Sequence, residues 1–230
     1  MPGTDAGIAK GYVPHVFALV VLLSATSGGV DAVAYARFGV FVANQTGNLV
    51  IVVLSLLEGQ RDRAMLASLV SLVTFTIAVF ASVYLRRFLA RHMSGLHVRY
   101  ALLGVEALLI AVVATGMVLF GASSVDLGSI ALLAASQGLQ AVLLTRIAGL
   151  LVSTVVINVA LVQSARAWAA GMRLAAFIAL ATPLGYLLGV SLALIPLNTL
   201  PALALCGAVA TALGAIVVVR LMRESAMEFD

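Results

Sequence analysis

The sequence predicts an all-α integral membrane protein with six net transmembrane crossings in a 3+3 inverted repeat. Of its residues 63% are hydrophobic and only 10% charged, and the mean hydropathy is +1.18, whereas soluble domains are about 25% charged. Apolar runs recur along the whole chain, each near or above the roughly 20 residues that one crossing needs. A polar, glycine-containing stretch early in the chain also returns in weakened form roughly 110 positions later, the internal symmetry expected of many transporter folds.

The first long apolar segment, Val13 to Leu57, is about twice the length of one crossing. It is too long and too polar at its C-terminal side for a cleaved signal peptide, and further spans follow it. Within it lie Ser27-Gly28-Gly29-Val30-Asp31-Ala32 and Arg37, then Phe41-Val42-Ala43-Asn44-Gln45-Thr46-Gly47-Asn48. Gly28, Gly29 and Gly47 are expected to break the helix and free backbone groups that lipid cannot satisfy; the blander reading makes them packing glycines. A carboxylate at membrane depth is costly unless paired, protonated or wet, so Asp31 marks a candidate site. Asn44 and Asn48, four apart, share a helix face, although Asn48 would serve equally well as interhelical glue. Arg37 is either the counter-charge of Asp31 or a snorkelling anchor.

Ala64 to Leu85 and Tyr100 to Phe120 are the next crossings. The loop between them carries Arg86, Arg87, Arg91 and Arg99 with no acid, which places it in the cytoplasm. Glu106 is either a second buried acid or a headgroup-level residue at the favourable start of its helix. The second long segment, Leu127 to Gln163, holds Ser136-Gln137-Gly138-Leu139-Gln140, then Arg146, Thr154 and Asn158. Ser27/Ser136, Gly29/Gly138 and Arg37/Arg146 share one offset, and Asn44/Thr154 and Asn48/Asn158 share an offset one residue longer. Gly138 is accordingly read as a second helix break and Arg146 as a second counter-charge. Ala175 to Ile195 and Leu200 to Leu221 complete the set. Gly185-Tyr186-Leu187-Leu188-Gly189 fits helix association, within the chain or as a homodimer face, and Cys206 is expected to be a buried, inert thiol.

Charge sets the topology. With the arginine loop inside, the stretch Gly121 to Asp126, which lacks basic residues, falls outside, Arg166 and Arg173 inside, Pro196 to Thr199 outside, and Arg220 and Arg223 inside; the balanced linker Glu58 to Arg63 falls outside and Lys10 inside. Each long segment, either a helix pair or one broken crossing, must then cross an odd number of times, which gives six net crossings in two groups of three. Repeat 1 covers about 13–121 and repeat 2 about 127–222 of a single membrane domain, 1–230, and the second enters the bilayer from the opposite side.

Several classes fall away. The net charge of +4 and pI of about 9.7 come from basic residues in short loops beside apolar spans, so nucleic acid is not the expected partner. No nucleophile elbow, P-loop, dinucleotide fingerprint or zinc spacing is present, so neither an enzyme nor a cofactor is expected. The expected partners are the bilayer and a small molecule or ion.

The combination of Gly29-Val30-Asp31-Ala32 with Phe41 through Asn48 resembles the bacterial YoaK-like membrane proteins, grouped as a domain of unknown function (DUF1275). That family's pattern, G-x-x-D-A followed by F-x-x-N-x-T-G-N, is matched by Gly29, Asp31 and Ala32 and by Phe41, Asn44, Thr46, Gly47 and Asn48. The resemblance implies a multi-pass protein of the bacterial inner membrane and supplies no substrate. Gln140 in place of Asp31 and Thr154 in place of Asn44 argue against a strictly symmetric site. The expectation is a transporter working by alternating access, with Asp31, Asn44, Thr46, Asn48, Gln140, Thr154 and Asn158 as substrate or ion ligands. A dimeric passive channel and a non-transporting membrane scaffold are the alternatives.

The topology is checked by cysteine labelling in a Cys206-free background. Ser94→Cys should react with an impermeant reagent only from the cytoplasmic side and Ser124→Cys only from outside; the reverse pattern would remove the inverted repeat.

Overall fold

The computed structural model describes residues 13–59, 62–121, 127–143, 146–147, 150–151, 157–197 and 201–227. In these segments the chain forms helices α1 (Val13–Phe38), α2 (Gln45–Leu57), α3 (Arg63–Leu89), α4 (Gly95–Phe120), α5 (Leu127–Leu143), α6 (Ile157–Ala169), α7 (Arg173–Leu197) and α8 (Pro201–Met227). Each long apolar segment is therefore a helix pair, α1 with α2 and α5 with α6. A two-residue antiparallel ladder, β1 (Arg146–Ile147) on β2 (Leu150–Leu151), lies between α5 and α6.

Pro14–Phe38, Arg63–Leu89, His97–Phe120 and Arg173–Ile195 are long and apolar enough to cross a membrane, whereas Gln45–Leu57, Leu127–Leu143 and Ala204–Arg220 are shorter apolar helices. At 1.5 Å per residue, the 13 residues of α2 reach about 20 Å, short of a hydrocarbon core of about 30 Å. Side chains are sorted as a lipid solvent requires. On α3 the buried residues are Ala67, Ser68, Ser71, Ala78 and Ser82, while Leu66, Val73, Ile77, Phe80 and Tyr84 are exposed. Lipid tails offer helices no hydrophobic reason to associate, so small residues that permit close approach face inward. Cys206 is likewise exposed rather than buried.

Helix ends follow local rules. Asp62 caps α3 by accepting from the Met65 N–H at 2.9 Å, and Arg86 and Arg87 occupy its last turn, where cations suit the helix dipole. α1 stops at Gly39, whose φ of 70° is open to a residue without a Cβ.

α1 packs on α7 and α8, α5 on α3 and α4, α4 on α8, α2 on α3, and α6 on α7. Two apolar clusters result. One gathers Val30 and Val33 of α1, Ile110 of α4, Leu133 of α5 and Leu205 of α8. The other gathers Leu19 and Leu23 of α1, Leu102 of α4, Leu139 of α5, Ile178 of α7 and Val219 of α8. Between them along each helix lie buried polar residues: Ser24, Thr26 and Ser27 on α1, Glu106 on α4, and Ser136 and Gln137 on α5.

The expected glycine breaks are overturned. α1 runs unbroken through Gly28 and Gly29, and α5 through Gly138. A Cβ at Gly28 would collide with the Tyr186 carbonyl, and one at Gly189 with the Ala25 carbonyl; at Gly185 it would lie 2.5 Å from the Val21 oxygen. Gly138 presses on α3, where a Cβ would stand 2.7 Å from both the Phe75 oxygen and Ala78 Cβ. Gly47 sits in the first turn of α2, with room for a Cβ taken by the Phe41 ring at 2.6 Å. In lipid a helix keeps its internal hydrogen bonds, and glycine there serves close approach.

Gly28→Ala and Gly189→Ala should each destabilise by about 1–3 kcal/mol through overpacking. Gly104→Ala and Gly116→Ala, where no atom lies within 4 Å of the added Cβ, should be neutral or stabilising by up to about 1 kcal/mol. Thermal unfolding in detergent reads the contrast, and equal effects at all four positions would refute the seam.

Candidate functional site

Between α1 and α2 the chain leaves helical geometry for residues 39–44, and the backbone groups so freed find partners within the protein. The Gly39 N–H donates to the Tyr35 carbonyl at 2.9 Å. Asn48 brackets Phe41: its Oδ1 accepts the Phe41 N–H at 2.9 Å and its Nδ2 donates to the Phe41 carbonyl at 2.6 Å. Ser71 of α3 donates to the same carbonyl at 2.7 Å, and Gln45 Nε2 donates to the Val42 carbonyl at 2.8 Å. The N–H groups of Val42 and Ala43 converge on Asp31 Oδ1, both at 2.7 Å, and that of Asn44 on Oδ2 at 3.1 Å. Tyr186 of α7 completes the set, its hydroxyl donating to Oδ2 at 2.7 Å.

Asp31 is 1% exposed. Three consecutive peptide N–H groups at the start of α2 make an anion-binding nest, aided by the positive end of the helix dipole. All four partners donate, as an ionised carboxylate requires. Asp31 thus acts as a remote N-cap for α2 and ties α1, α2 and α7 together.

The sequence-derived candidates separate into groups. Asp31 and Asn48 come together around the α1–α2 joint, with their polar atoms engaged by the protein. Asn44 and Thr46 are exposed at the start of α2, and the Asn44 side chain makes no capping bond. Gln140 stands apart, donating from Nε2 to the Leu23 carbonyl at 2.7 Å. Asn158 is exposed on α6. Arg37 is exposed at the end of α1, and the acceptor sites of Asp31 are filled by peptide N–H groups and a phenol. The expected counter-charge is thus replaced by a nest. Arg146 contributes backbone to β1, its side chain lying outside the described residues, as does Thr154.

The second polar cluster is where α1 meets α5. Ser27 Oγ donates to Gln137 Oε1 at 2.7 Å, joining the polar stretches of α1 and α5, and the hydroxyls of Thr26 and Thr211 bond at 2.7 Å. A cavity of ≈ 70 Å³ between α1, α7 and α8 is bordered by Ala25, Gly29, Gly189, Ala208 and Thr211. Sequence reasoning did not assign roles to Tyr186, Ser71 or Gln137. Tyr186 had a signal, a polar-tipped residue between two glycines of an apolar run; Ser71 had only its place among other small residues of α3. Among the described residues no group of three or more His, Cys, Asp or Glu could hold a metal ion.

A family model described as "Protein of unknown function (DUF1275)" matches residues 19–219. No curated protein and no solved structure matches the chain.

Asp31→Asn and Tyr186→Phe should each lower stability by about 1.5–3 kcal/mol, the range for a hydrogen bond to a charged group. The double variant should lose less than the sum, because both act on one contact. Chemical unfolding of the four proteins in detergent gives the coupling, and strict additivity would separate the two residues.

Proposed function

The chain belongs to the DUF1275 family, and we propose that this member is a six-crossing transporter of a small molecule or ion in the bacterial inner membrane, with both termini cytoplasmic. The carrying observation is the buried contact between the polar stretches of α1 and α5, Ser27 with Gln137, set between apolar clusters of a helical membrane protein. Polar side chains at that depth are costly to keep, and a protein that only filled space would be cheaper built from apolar ones.

Helix direction supports six crossings. α1, α4 and α7 pass from the Leu23 cluster to the Val30 cluster, whereas α5 and α8 pass the other way, as does α3 from Ala67 to Leu89. α6 completes the crossing that the shorter α5 begins, and α2 is the corresponding short helix after the full-length α1. Exchange of partners supports the inverted repeat: Gly28 of α1 presses on α7, the second full helix of the other half, and Gly138 of α5 presses on α3. In this reading the two glycine seams are where the halves rock against one another, while the Asp31 nest keeps the α1–α2 joint rigid. The side chains of Asn44, Thr46 and Asn158 are exposed and take no part in the nest, to which Asn44 gives only its backbone N–H, and they are the ones left to meet a substrate.

One observation favours a membrane scaffold instead. An apolar groove of ≈ 250 Å³ lies between α4 and α8, lined by Ala111, Ala114, Thr115, Val118, Leu119, Cys206 and Val209.

In a Cys206→Ala background, Ser27→Cys and Thr211→Cys should react with an impermeant thiol reagent added to either face of oriented vesicles, without steady conductance in planar bilayers. Silence from both faces would favour the scaffold, and steady conductance a channel.

A further inference from the structure

Glu106 is 0% exposed, and neither of its carboxyl oxygens has a hydrogen-bond partner. It lies well inside α4, on the face that also buries Leu102, Leu103 and Ile110, so it is no headgroup-level residue. Along that face it falls where one apolar cluster gives way to the other. The same interval holds Gln137 on α5 and Thr211 on α8, the two helices packed on α4.

No counter-charge faces it from either. α5 carries no titratable residue; α8 carries Cys206 and Arg220, both exposed, and Arg223 and Glu224, which follow Arg220 in its last turns, C-terminal to the Val219 end of the second apolar cluster. Glu106 therefore neither pairs, nor glues helices, nor anchors a helix end. An isolated carboxylate is among the costliest groups to hold in a membrane interior, and a leucine would fill the space better.

We propose that Glu106 is a proton-binding site, taking up one proton from water and returning it to water. One O–H bond forms and one breaks, and no electron moves. A bare metal cation is the poorer fit, because hard cations demand several oxygen ligands and, in the same interval, Gln137 Oε1 already accepts from Ser27. Use of the proton to drive transport rests on the transporter reading; proton binding itself does not.

The test reads the proton directly, by infrared difference spectroscopy of the full chain in lipid across a pH titration. Wild type should show a protonated-carboxyl C=O stretch that disappears as pH rises. The band should be lost in Glu106→Gln, displaced in Glu106→Asp, and unchanged in Glu58→Gln, an exposed acid in a loop. Should Glu106→Gln fail to fold, displacement in Glu106→Asp still assigns the band. Absence of a Glu106-dependent band, a band indifferent to pH, or its removal by sodium at fixed pH would overturn the proposal. A titrating band with silent thiol labelling would leave the proton site standing without the transporter, and the converse would leave the transporter without proton coupling.

Discussion

Every departure from helical geometry inside a bilayer must satisfy its own peptide groups, because lipid supplies no hydrogen bonds. Between α1 and α2 that demand falls chiefly on two side chains, with Ser71 and Gln45 assisting. Asp31 collects three peptide N–H groups and Asn48 brackets both polar groups of Phe41. Much else follows from this joint. It sets where α2 starts and seats α2 on α3 through Ser71. It also holds α7 against α1 through Tyr186. The charge of Asp31 is tolerated because it is met by oriented dipoles, the same physics by which helix N-termini hold bound anions.

Around the joint, packing works by backbone proximity. Tyr186 can reach Asp31 only because Gly28, Gly185 and Gly189 bring α1 and α7 into contact at the main chain. Where helices lie this close, dispersion and hydrogen bonding do the work that hydrophobic burial does in water. The two apolar clusters and the polar interval between them are a second consequence: the small residues that permit close approach leave room for hydroxyls and amides such as Ser27 and Gln137.

The membrane class and the approximate helix positions were legible in the sequence, since both rest on composition and run length. The importance of Asp31 and Asn48 was legible too, because polar groups in lipid are costly wherever they point. Their partners were not. Burial cost says that a carboxylate needs donors, and it does not say whether the donor is a guanidinium, water or a peptide, so Arg37 stood where Val42, Ala43 and Asn44 belong. The glycines were misread for a related reason. Gly28 and Gly138 weaken a helix in water, but whether they break one in lipid depends on what lies opposite, and the opposing atoms belong to Tyr186 and Ala78, far away in the chain. Glu106 looked ambiguous because its depth depends on where α4 begins.

The sequence separations within the joint bear on biogenesis. The peptide donors to Asp31 lie 11 to 13 residues downstream of it, whereas Tyr186 lies 155 residues away. As the chain leaves the ribosome, the nearby N–H groups become available to the carboxylate almost as soon as α1 has entered the membrane, so the charge is shielded long before its last partner has been made. Arrival of α7 then closes a contact already shaped to receive it. A nascent chain halted before Tyr186 would hold a formed but unfastened joint, α2 already seated by the Asp31 carboxylate and α7 not yet docked on it.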